Sequence, residues 1–205
     1  CPPNVVEDEY AMRLSTMHAL GLSFILIACS PGSEPGADMP DAQSAPWEIS
    51  GNALGPFHAD LPLTVDALEA ALPDFSARLE QRSVEGEAYD VVVLSHEVGG
   101  APVFEVSASW QSQSLADVKI YEAGHIAGLR ADIGDSFSAS GFEPADCFSG
   151  MEEMSGRVSC MDERYPGLIY WFDPSPYDGP DGEIPPISVL NDASLFMMHW
   201  HADPR

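Results

Sequence analysis

Tyr89-Asp90-Val91-Val92-Val93-Leu94-Ser95-His96 decides the reading of this chain. Three consecutive β-branched residues followed by a leucine suit a pleated, buried strand far better than a helix. Gly99-Gly100 supplies a turn, and residues 103–110 (VFEVSASW) return with alternating apolar and polar positions, which predicts a hairpin. Residues 115–121 add a third strand, and alternation begins as early as Phe75. Upstream, residues 64–72 read as a helix. Thr64 is a capping residue, Asp66 lies in the first turn, Leu68, Ala71 and Leu72 share a face, and Pro73 stops it. Downstream, Asp135 or Ser136 caps a short helix ending near Gly141, and residues 158–161, 168–172 and 195–200 read as strands. Residues 52–63 read as irregular, and 173–186, with five prolines and two glycines, as a long turn. The expected fold is α+β, mainly antiparallel β-sheet with one or two short helices. A helix followed by strands occurs at 64–121 and again at 133–200, which suggests two tandem helix-plus-sheet units forming a pseudo-repeat.

The amino-terminal stretch carries an address. Arg13 and His18 precede an apolar run over 19–28, and Leu26-Ile27-Ala28-Cys29 is a lipobox. An apolar run of about ten residues is too short for a bilayer of about 30 Å, which needs roughly 20. Residues 1–28 are therefore expected to be upstream residues plus a lipoprotein signal peptide, with Met12 as the start. Cys29 is the expected lipid attachment site, and Ser30 after it favours sorting to the outer membrane, facing the periplasm. Residues 29–46, rich in Pro, Gly, Ser, Ala and Asp, read as a flexible tether. Residues 47–205 read as one globular domain beginning near Trp47, long enough to bury a core.

Thirty-three acidic side chains face eight basic ones, and the formal charge is −25. Lys119 is the sole lysine. A surface this acidic repels phosphate backbones, so nucleic acid is excluded as a partner. Of the four cysteines, Cys147 and Cys160 fall within the expected domain. In an oxidising compartment two such cysteines pair, and no nearby histidine completes a zinc set around them. A disulfide closing this short loop stabilises by about 3 kcal/mol on the chain-entropy model.

Ile133-Gly134 with Phe137, then Cys147, Cys160, the strand Ile169-Tyr170-Trp171-Phe172, Gly179-Pro180-Asp181-Gly182 and Trp200 follow one another in a characteristic order. In this order and spacing the chain resembles the sigma-E (RpoE)-regulated envelope lipoproteins of Gram-negative bacteria, a family catalogued as a domain of unknown function. The resemblance covers about a third of the chain. It implies a lipid-anchored protein linked to envelope stress, and it carries no activity and no catalytic residues. This chain is more acidic than the family pattern.

Two clusters have the chemistry of a metal site. Asp173, Asp178, Asp181 and Glu183 crowd one turn, and a loop dense in carboxylates suits calcium, although the spacing is not that of an EF-hand. His199 and His201 alternate on a strand, so both imidazoles share a face. With a remote carboxylate they suit zinc or copper, and Met197 or Met198 suits Cu(I). No third ligand is apparent in the sequence, and an edge strand with solvated histidines explains the pair equally. Ser95-His96-Glu97 invites comparison with a hydrolase, yet no G-x-S-x-G elbow exists. The expectation is not an enzyme, with no cofactor required. It is a non-catalytic envelope module that binds another envelope protein or a wall component. Sheet edges and aromatics near Tyr170, Trp171 and Trp200 are its contact candidates. The alternative is a periplasmic carrier of a metal or small ligand.

Overall fold

The computed structural model describes residues 45–109, 114–180 and 182–202. Thr64 Oγ1 accepts a hydrogen bond from the Ala67 amide at 3.2 Å and caps α1 (Val65–Ala71), as its sequence position predicts. Leu68 on α1 and Leu72 just beyond it are buried. Before this helix lie three two-residue strands, β1 (Ile49–Ser50), β2 (Ala53–Leu54) and β3 (Phe57–His58), paired in that order. This corrects the irregular stretch expected over 52–63. Strands of two residues carry no periodicity to detect, and Leu54 and Phe57 hold the small sheet by being wholly buried.

The first long strands are β4 (Ser76–Val84) and β5 (Glu87–Ser95). They are joined by Glu85-Gly86, with φ of 51° and 87°. Positive φ at both loop residues is the geometry of a type I′ hairpin, which matches the right-handed twist of the flanking strands. Next come β6 (Phe104–Ala108) and β7 (Leu115–Ile120), each antiparallel to its predecessor. The second half opens with α2 (Phe137–Ser140). Ser136 Oγ caps it at the Ala139 amide, and Gly141 at φ 70° ends it. Then follow β8 (Cys147–Ser149), β9 (Val158–Met161) and β10 (Leu168–Asp173). The single turn α3 (Ile187–Leu190) precedes β11 (Ser194–His201). Cys147 and Cys160 stand opposite each other on β8 and β9 and form the expected disulfide.

The other eight strands make one sheet in the order β4-β5-β6-β7-β11-β10-β9-β8. Each half is a run of four neighbouring strands, and the halves meet through their last strands. The two helix-plus-strand stretches therefore build one continuous sheet, and their buried residues share one core. The described residues belong to one compact unit, residues 43–205. Val92, Leu94, Phe104, Val106, Val118 and Ile120 line the core side of the first half, and Tyr170, Phe172, Met198 and Trp200 that of the second. Tyr170 and Trp200 are wholly buried, which removes them as contact candidates. They point inward because alternate residues of a pleated strand share a face, and theirs is the core face. Trp171 points to the opposite face and is half-buried.

Candidate metal centre

β11 lies between β7 and β10 at the middle of the sheet, not at an edge. Positions 198 and 200 face the core, so 197, 199 and 201 face the other side. Met197, His199 and His201 are therefore aligned, while Met198 is committed to the core. Across the ladder His201 stands opposite Asp117 on β7, and His199 opposite Lys119. Ser107 and Glu105 on β6 continue the two rows.

The imidazole rings of His199 and His201 have centroids 4.1 Å apart. Nδ1 of His201 is hydrogen-bonded to Oδ1 of Asp117. Nε2 of His199 faces the same oxygen at 3.6 Å, too far for a hydrogen bond. That nitrogen is buried and has no hydrogen-bond partner among the described residues. One ligand atom from each of the three residues lies within 4.8 Å of the others. Burial works to raise the Asp117 pKa, but the two imidazoles beside it outweigh that and hold the carboxyl well below the usual carboxylate range. Burial pushes the His199 pKa down, with Asp117 opposing only in part.

A charged ladder runs beside this group. Glu105 is 4% exposed and accepts from Arg82 Nε at 2.9 Å and Lys119 Nζ at 2.8 Å. Arg82 also pairs with Glu80 at 2.7 Å, and Glu80 with Arg78 at 2.5 Å. Burial works to lower the Lys119 pKa, but its bond to Glu105 outweighs this and raises it. The lysine therefore spends its charge on Glu105 rather than on the imidazoles.

Asp117 is the member of this group that the sequence hides. It lies 84 residues before His201 and comes beside it only because β7 pairs with β11. The local signal is a carboxylate in an otherwise ordinary alternating strand. The acidic turn behaves differently. Asp173 pairs with Arg157 at 2.7 Å and accepts the Ser175 amide at 2.9 Å. Asp178 and Glu183 are exposed, and Asp181 lies outside the described residues. Among the described residues, the grouping of three ligand-type side chains able to hold an ion is Asp117, His199 and His201, and the turn contributes nothing to it. Ser95 Oγ donates to the Glu97 carbonyl at 2.7 Å and accepts from Arg78, while His96 turns to Glu122 at 3.2 Å. That serine and histidine are not hydrogen-bonded to each other. Cys29 and the rest of the expected lipobox lie outside the described residues.

The fold and the site together define a mainly antiparallel α+β domain with an imidazole–carboxylate group on the face of its sheet opposite the core. No known protein family matches the chain, and no curated protein does. Among solved structures the chain is similar to the uncharacterized protein yfeY from Escherichia coli, with a TM-score of 0.55 and 18% identity over 75% of this chain and 99% of that one. At that identity the likeness is one of fold.

Proposed function

We propose that this protein is a lipid-anchored envelope lipoprotein of a Gram-negative bacterium, tethered through Cys29, whose folded domain works by binding rather than by catalysis. The lipobox at 26–29 carries the reading, because it puts an acylated cysteine directly before a Pro- and Gly-rich tether and a folded unit. The shared fold with a protein of Escherichia coli, a Gram-negative bacterium, supports it. More than one buried acyl chain, at about 0.8 kcal/mol per methylene, gives stable anchoring. With Tyr170 and Trp200 in the core, the contact surface shifts to the outer strand β8 and its surroundings, where Phe148, Met151 and Met161 are exposed. Association with envelope stress, and with an envelope protein or wall component as partner, follows from the family resemblance and belongs to the same proposal.

The test is fractionation and in-cell cross-linking of the tagged protein in a Gram-negative host. The wild type should partition with outer-membrane lipid and capture an envelope component, and Cys29→Ser should release it into the soluble periplasm. Equal partitioning of the two would refute the anchor. Efficient cross-linking that captures no envelope component would refute the binding role.

A further inference from the structure

We propose that Asp117, His199 and His201 bind a divalent transition-metal ion, zinc first among candidates, with three ligands from the protein and the remaining positions open. The geometry leaves a gap between His199 and Asp117 that an ion could bridge. Nε2 of His199 and Nδ1 of His201 both aim at Oδ1 of Asp117. Only His201 comes within hydrogen-bond distance of that oxygen, and Nε2 of His199 is left buried without a hydrogen-bond partner among the described residues. A buried polar atom left unsatisfied is costly and calls for an explanation. Two ligands of a tetrahedral zinc at about 2.0–2.1 Å stand roughly 3.4 Å apart. The His199 nitrogen and the Asp117 oxygen stand 3.6 Å apart, a separation too long for a hydrogen bond and suited to a shared ion.

The donor set chooses the class of ion. Two imidazoles with one carboxylate suit zinc, nickel, copper(II) or iron(II), whereas calcium and magnesium demand oxygen ligands throughout. Soft thiolate ligation is unavailable from Cys147 and Cys160, which are joined in the disulfide. The scaffold is rigid, since the ligands sit on two adjacent inner strands, and Ser107 Oγ lies 3.5 Å from the second oxygen of Asp117. The site opens outward, because the His201 side chain is 44% exposed. Three protein ligands with an accessible fourth position mark an exchangeable or ligand-accepting ion rather than a closed structural one. The inference is independent of the lipid anchor.

The test uses the full chain in detergent, stripped with chelator, then titrated with cobalt(II) and zinc(II) in excess calcium. The wild type should take up one equivalent of cobalt with a visible ligand-field spectrum, which zinc abolishes. His201→Gln and Asp117→Asn should each weaken binding by about tenfold or more, and His58→Gln should leave it unchanged. If Asp117→Asn does not fold, His201→Gln decides the matter, because that side chain is the most exposed of the three. Absence of cobalt uptake, displacement by calcium, or undiminished binding in both ligand variants would overturn the site.

Discussion

At the scale of single residues, buried carboxylates on the sheet and its loops are each held by arginine or lysine. Glu105 joins Arg82 to Lys119. Its own side chain is 5% exposed, whereas those of its partners are about a third exposed and screened by water. Glu105→Gln should therefore cost about 1–3 kcal/mol in urea denaturation, most of it from the charge-assisted hydrogen bonds lost at the buried carboxylate rather than from the screened cations. Asp162 is 3% exposed, binds the Arg164 guanidinium with both oxygens and accepts the Arg164 amide at 3.0 Å. These contacts hold its carboxyl below the usual range, the hydrogen bond from the Arg164 side chain being the largest cause. A lowered native pKa means the contribution is full above the unfolded value of about 3.9 and fades as pH falls through the lower native value. Asp162→Asn should lose about 1–2 kcal/mol at pH 7 and show a flatter loss of stability on acidification than the wild type. Acid titration of stability by circular dichroism checks both.

At the scale of elements, the turn between β4 and β5 offers a clean test. Glu85 occupies a left-handed conformation at φ 51° that asparagine tolerates far better. Glu85→Asn creates the Asn-Gly pair that this hairpin prefers, and should raise stability by about 0.5 kcal/mol. Gly86→Val, at φ 87°, should lower it by about 1–2 kcal/mol. Chemical denaturation of the two variants should move in opposite directions. The long elements were legible in the sequence for reasons that the same turn illustrates. Residues 89–96 carry β-branched pattern, Thr64 and Ser136 are caps with a visible run behind them, and Gly141 is a stop. The short strands were not legible, because β1 to β3 and β8 take their identity from neighbours rather than from pattern. The site was half legible. His199 and His201 show their common face through the period of two, but Asp117 becomes their neighbour only through the pairing of β7 with β11. Nothing local in Leu115-Ala116-Asp117-Val118 encodes that pairing.

At the scale of the whole molecule, charge and cross-linking set the response to conditions. A formal charge of −25 works against compaction through self-repulsion that salt screens, with a Debye length of about 10 Å at 0.1 M. The melting temperature should therefore rise as sodium chloride is increased from low ionic strength, and calorimetry over a salt series measures it. Reduction of Cys147–Cys160 should cost about 3 kcal/mol, read as a lower denaturation midpoint in the presence of dithiothreitol.

The order of the sheet sets a schedule for the newborn chain. β11 is the last of the eight strands to be made, yet it belongs in the middle, between β7 and β10. Until residues 194–201 emerge, two half-sheets stand with raw inner edges of unpaired amides and carbonyls, the surface on which strands of other chains add. The two half-sheets therefore cannot close into one until the final segment is delivered. A chain that stalls before Ser194 leaves two sticky fragments rather than a slightly shortened domain.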